Sequence, residues 1–119
     1  NAVVAKEVVG DVEGRTCVLI DDMIDTAGTI VAAAEQLVER GASSVCCAAT
    51  HGVFSGPAID RLKNSVLTRV VVTNTLPLPP EKRIDKIEVL SAAGIIADAI
   101  DAVFEDSSVS EIFDGQNQT

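Results

Sequence analysis

The chain has 119 residues, 47% of them apolar but only 3% aromatic, and a formal net charge of −9. That length allows one domain at most, with a core of Val, Ile, Leu and Ala that suits parallel strands covered by helices. The acidic balance argues against nucleic acid or an anionic membrane as partner, and no apolar run reaches membrane-spanning length. Cys17, Cys46 and Cys47 lie inside apolar runs without metal-ligand spacing. They read as buried, reduced thiols of a cytoplasmic protein. The sequence opens on Asn1 in mid-pattern, without a signal peptide. A fragment, or the ordered part of a longer chain, is the expectation.

Taken in order, residues 1–15 read as an extended arm and a turn, with Val3, Val4, Val8 and Val9 in the arm and Gly10 and Gly14 flanking the turn. Thr16 to Ile20 is the first expected strand, and its continuous hydrophobicity predicts cover on both faces. It is expected to stop at Asp21 and Asp22, and a polar turn with Asp25, Thr26, Ala27, Gly28 and Thr29 leads into a helix. A helix N-terminus offers unpaired N–H groups and partial positive charge, which suits phosphate. Thr26 and Thr29 add hydroxyls, and Gly28 permits close approach. The acids cannot hold phosphate; they suit sugar hydroxyls or a divalent cation. Helix capping alone needs one acid or hydroxyl, not three acids and two threonines.

The helix is expected over Gly28 to Arg40, with a buried stripe of Ile30, Ala33, Ala34, Leu37 and Val38, and Gly41 stops it. Ser44 to Ala49 reads as a second buried strand, completing a right-handed βαβ unit. Thr50 to Ser55 follows as a polar loop, then a short helix opening at Ser55, Gly56 and Pro57 and ending at Asn64 or Ser65. Arg69 to Thr73 is the third strand. Asn74 to Pro80 carries three prolines and is irregular. Lys86 to Leu90 alternates and is placed nearer an edge. Ser91 caps a last helix reaching about Phe104, with Ile95, Ile96, Ala99, Ile100, Val103 and Phe104 as its core stripe. Residues 105–119 form a polar tail. The fold class is therefore α/β, a parallel sheet with flanking helices over residues 16–104.

Ligands of such sheets bind beyond the carboxyl ends of the strands. Three loops meet that rim: Asp21 to Thr29, Thr50 to Ser55, and Asn74 onward. His51, the one histidine, has no evident partner and reads as a loop residue bonded to backbone, a weak general base. Asn74 and Thr75 read as turn formers.

Val18 to Thr29 resembles the phosphoribosyl diphosphate (PRPP) signature of the type I phosphoribosyltransferase fold, and within it PRPP synthase, or ribose-phosphate pyrophosphokinase. Ala49 to Ile59 (A-T-H-G-V-F-S-G-P-A-I), Val70 to Thr75 (V-V-V-T-N-T) and Ser108 to Phe113 (S-V-S-E-I-F) are similar to that family in the same order. The resemblance covers essentially the whole chain and matches it to the C-terminal portion of the family. It implies that Asp25, Thr26, Ala27, Gly28 and Thr29 hold the 5-phosphate of ribose 5-phosphate. It implies that Asp21 and Asp22 take the ribose hydroxyls, directly or through Mg²⁺. It also implies ATP as co-substrate, a homo-oligomer, and a regulatory phosphate and nucleotide diphosphate site between subunits, to which Ser108, Val109, Ser110 and Phe113 would contribute, with inorganic phosphate as activator. In the family the catalytic lysine and arginine lie just upstream of the segment matching Asn1 to Gly10, and the ATP-binding residues belong to an amino-terminal domain. Lys6 falls after that loop, so no catalytic residue is expected in this chain, and the chain alone is not expected to be competent. Two other readings stand beside this one: a different PRPP-using transferase, and a non-catalytic regulatory subunit associated with the synthase. The Ala49 to Ile59 and tail motifs speak against the first, and the intact phosphate loop against the second.

Overall fold

The computed structural model describes residues 8–106 and 108–113, short of the side chains of Glu111 and Phe113. Most of the expected arm, Lys6 with it, lies outside the described residues, as do the Phe113 side chain and residues 114–119. Four strands, β1 (Thr16–Ile24), β2 (Ser44–Gly52), β3 (Val70–Thr73) and β4 (Ile87–Leu90), form one sheet in the order β1-β2-β3-β4. All three pairings are parallel. Three helices, α1 (Gly28–Glu39), α2 (Ala58–Lys63) and α3 (Ala93–Phe104), and two 3-10 turns, Pro80–Lys82 and Val109–Phe113, complete the described elements. The α/β class with a parallel sheet follows the sequence expectation, and β4 is indeed an edge strand.

One face of the sheet carries the core. Val45, Cys47, Ala49, Val70 and Val72 meet Ile30, Ala34 and Leu37 of α1 and Ala58 and Leu62 of α2 in one buried cluster. The stripe foreseen on α1 is thus the packed one at those three positions, while Val38 stays exposed. Lys86 closes the end of α2, its Nζ donating to the carbonyls of Leu62 and Ser65 at 2.9 Å each. Carbonyls at and just past a helix C-terminus suit a cation.

Three expectations are corrected. First, β1 does not stop at the acids. It runs on through Asp21 and Asp22 to Ile24, pairing Asp21 with Ala49, Met23 with His51 and Ile24 with Gly52. Ile24 is 2% exposed, so its burial draws the strand past the two acids. The polar loop expected from Thr50 shrinks in step, because β2 reaches Gly52. Second, β1 is not covered on both faces. Val18 is 56% and Ile20 83% exposed, and Ile20 lines a shallow apolar depression of about 240 Å³ with Ala48, Val71 and Leu90. An apolar run reports that a strand prefers burial; it does not report which faces a neighbour covers. Third, the stripe on α3 is not core: Ile95, Ile96, Ile100, Val103 and Phe104 are exposed, and Ala102 is the buried residue of the helix. α3 packs chiefly against the Val109–Phe113 turn rather than on the sheet.

The thiols divide as their burial does. Cys47 is buried, while Cys17 and Cys46 are half-buried. Burial pushes the Cys47 thiol up to about 11, with neighbouring Cys46 a second cause. The thiolate is the reactive form, so Cys47 should resist alkylation at pH 8. Timed labelling followed by mass spectrometry is expected to modify Cys17 and Cys46 first and Cys47 only on unfolding. Equal labelling rates at all three would contradict this.

Candidate functional site

The turn between β1 and α1 owes its shape to what grips it from behind. Three successive carbonyls are captured by the segment after β2 and by α2. The carbonyl of Ile24 accepts from the N–H groups of Val53 (3.0 Å) and Phe54 (3.1 Å), and that of Asp25 from the N–H of Ser55 (2.9 Å). The carbonyl of Thr26 accepts from Arg61 Nη1 at 3.1 Å. Phe54 makes this possible by adopting φ 52 with its ring buried at 1% exposure. Ala27 then takes the left-handed conformation at φ 67, and its carbonyl receives the first bond of α1, from Val31.

The result is a set of donors with no internal use. Among the described residues, no hydrogen bond is donated by the backbone N–H groups of Thr26, Ala27, Gly28, Thr29 and Ile30. No side chain caps α1, and its first turn holds no acid. Asp25, Thr26 and Thr29 are therefore not employed as caps, which removes the plainest structural role for them. These residues, with Asp21, Met23 and Ile24, line a depression of about 190 Å³. All five residues foreseen for phosphate, Asp25 to Thr29, are brought together there. So is Asp21. Asp22 is on the same strand end but does not line the depression.

The two acids are adjacent on the strand. Asp21 Oδ1 accepts the N–H of Asp22 at 2.7 Å, and Asp22 Oδ1 accepts that of Met23 at 2.8 Å. Asp22 is held below the ordinary aspartate value of 3.8, chiefly by hydrogen bonding from the Asp21 side chain, then by the Met23 N–H, with the charge of His51 a smaller cause. A lowered value keeps Asp22 ionised to lower pH than an ordinary aspartate. Each carboxylate places one oxygen on a backbone N–H, and the Asp21 side chain also bonds that of Asp22. That donor set fits a hard cation completed by water, or two sugar hydroxyls.

The other rim residues take supporting places. His51 Nδ1 lies 2.7 Å from Thr75 Oγ1, so its partner is a side chain and not the backbone foreseen. Thr73 Oγ1 donates to the Thr50 carbonyl at 2.7 Å, tying the second and third rim loops. Asn74 Oδ1 accepts the Ala92 N–H at 2.8 Å, which holds the start of α3. That agrees with a structural role. Ser108, Val109 and Ser110 are exposed, with Ser108 Oγ and Ser110 Oγ 2.6 Å apart. None of them lines the β1–α1 depression. Sequence reasoning missed Arg61, Val53 and Phe54 as shapers of the turn. The one available signal was Gly52 to Gly56, a short stretch with two glycines around a buried aromatic.

Comparison with known proteins agrees with this picture. Residues 4–114 match the model of the phosphoribosyl synthetase-associated domain family. The ribose-phosphate pyrophosphokinase of Streptomyces avermitilis is 60% identical over 116 residues, which is 98% of this chain and 36% of that protein. That of Bifidobacterium longum is 59% identical over 114 residues, 96% of this chain and 34% of the relative. The crystal structure of phosphoribosylpyrophosphate synthetase from Mycobacterium smegmatis superposes with a TM-score of 0.80 at 54% identity, over 83% of this chain and 33% of that one. The chain thus spans about a third of the length of these relatives.

Proposed function

The chain belongs to the phosphoribosyl synthetase-associated domain family, and on that premise we propose that it is the ribose 5-phosphate-binding part of a ribose-phosphate pyrophosphokinase. The reaction transfers the β,γ-diphosphoryl group of ATP to the C1 hydroxyl of ribose 5-phosphate, giving PRPP and AMP. One observation carries the reading: five consecutive backbone N–H groups, Thr26 to Ile30, face no acceptor at the start of α1. Such a nest suits the 5-phosphate. The Thr26 and Thr29 hydroxyls supplement it, and Asp21 and Asp22 orient the ribose hydroxyls. The carboxylates of these acids would also hold Mg²⁺, which supplies charge neutralisation at the phosphoryl oxygens when bound.

Phosphoryl transfer is mostly positioning and electrostatic stabilisation. This chain contributes the positioning of the acceptor. The basic groups that neutralise the transferring phosphoryl are assigned to other segments, as is the ATP site. On this reading the 119 residues alone, given ATP, ribose 5-phosphate, Mg²⁺ and phosphate, form no PRPP, and measurable turnover would refute it. Ser108, Val109, Ser110 and Phe113 remain the assignment for a regulatory phosphate site at a subunit contact of a homo-oligomer.

Calorimetric titration is the direct test of the substrate reading. Ribose 5-phosphate is expected to bind at least about tenfold tighter than ribose, with amide shifts concentrated at Thr26 to Ile30. Inorganic phosphate should compete. Binding is expected to weaken as pH falls through about 6, where the phosphate takes a proton; Asp22, with its lowered value, does not set that limb. Equal affinity for ribose and its 5-phosphate, or shifts elsewhere, would overturn the assignment. Transfer of a nucleobase onto PRPP would favour another phosphoribosyltransferase instead.

A further inference from the structure

Arg61 lies on α2, outside the set of residues that line the β1–α1 depression, yet it touches the turn at one atom. Its Nη1 donates to the Thr26 carbonyl at 3.1 Å. A trans peptide is planar, with its C=O and N–H pointing in opposite directions. Fixing the Thr26 carbonyl toward α2 therefore turns the Ala27 N–H away from α2. The neighbouring peptides behave alike: the Ile24 and Asp25 carbonyls are fixed by Val53, Phe54 and Ser55. Those two clamps are backbone, whereas the third is a side chain. It falls where the chain bends into the left-handed conformation at Ala27. Without a partner for its carbonyl, the 26–27 peptide is the one free to rotate.

We infer that Arg61 is a positioning residue for the phosphate-bearing substrate, acting by locking the Thr26–Ala27 peptide so that the Ala27 N–H faces the ligand. This rests on the reading of the turn as the seat of the 5-phosphate. The Nη1 donor is engaged on the far side of the peptide from the ligand, so Arg61 acts through the peptide. Its planar donor fork suits this task better than a flexible ammonium does. The bond to a charged donor is also stronger than a neutral one.

The test compares Arg61→Met with the unmodified chain in titrations with ribose 5-phosphate and with inorganic phosphate, at low salt and at 0.5 M salt. Loss of the lock is expected to weaken both ligands about tenfold, the worth of one charge-assisted hydrogen bond. The loss should persist at 0.5 M salt, where a purely long-range charge effect is screened away. Amide dipolar couplings should show the Ala27 N–H vector reoriented in the variant without ligand, while the couplings of β2 and β3 stay unchanged. A weakening that disappears at high salt would mean that Arg61 acts only as a charge, and would overturn the inference. An unchanged Ala27 vector would overturn it too. If neither ligand binds the unmodified chain, the substrate reading fails, but the couplings still decide whether Arg61 orients the peptide.

Discussion

Thr29→Asp should abolish ribose 5-phosphate binding while leaving the fold at least as stable as before. Thr29 is exposed in the first turn of α1, a turn that holds no acid. A carboxylate there interacts favourably with the helix N-terminus, by about 0.3–1 kcal/mol. The same carboxylate would occupy the donors assigned to the phosphate. Two negative charges about 4 Å apart repel by roughly 4 kcal/mol at a surface-like dielectric. Affinity is therefore expected to fall by about 100-fold or more. Calorimetric titration reads the affinity, and thermal unfolding reads the stability. Retained binding would mean that the phosphate sits elsewhere. The opposite signs of the two effects separate a direct role from unfolding.

Gly52→Ala should do the reverse and damage the fold first. A Cβ at Gly52 would lie 2.6 Å from Phe54 Cε2, 2.9 Å from Phe54 Cζ and 3.2 Å from Val72 Cγ1. Phe54 is buried and held at positive φ, so its ring has little room to yield. Overpacking of this kind costs about 1–3 kcal/mol. Because Phe54 and Val53 hold the Ile24 carbonyl, the displaced ring should also loosen the turn and weaken ribose 5-phosphate. Chemical denaturation should show the lower midpoint. Adding Phe54→Leu should recover part of the loss, since the two positions are coupled through direct contact. A Gly52→Ala chain of unchanged stability would show that the ring relaxes freely, and the account of the clamp would then be wrong.

These two results bear on how the site is built. Thr29 lines the depression at the start of α1, and its residue type is what suggests a ligand there. Gly52 and Arg61 belong to the support behind it; the Gly52 to Gly56 stretch hints at the first, and nothing near Arg61 announces its use. Asp25 to Thr29 drew a phosphate reading because a hydroxyl- and glycine-bearing turn ahead of an amphipathic helix has a definite chemistry, and the structure gathers them at one depression. The stripe Ile30, Ala34 and Leu37 was legible because 3.6-residue periodicity is a property of the local chain. Arg61 was not legible, since its partner Thr26 is 35 residues away in sequence. The strand's passage through Asp21 and Asp22 was hidden for a similar reason. Local composition marks two acids as a stop, but pairing with Ala49 and His51 carries the ladder onward.

The exposed residues of α3 teach the complementary lesson. Ile95, Ile100 and Phe104 follow a core-like pattern, and the pattern is a sound statement of amphipathicity. It contains no information on the partner surface. By itself, then, the sequence determined the element types, the parallel α/β class and the polar turn ahead of α1, because each depends on contacts between near neighbours in the chain. Only the tertiary structure decided which face of β1 is covered, where its strand ends, and which groups aim the Thr26 to Ile30 donors. Those depend on carbonyls, rings and guanidinium brought together from distant segments, and no local pattern encodes them.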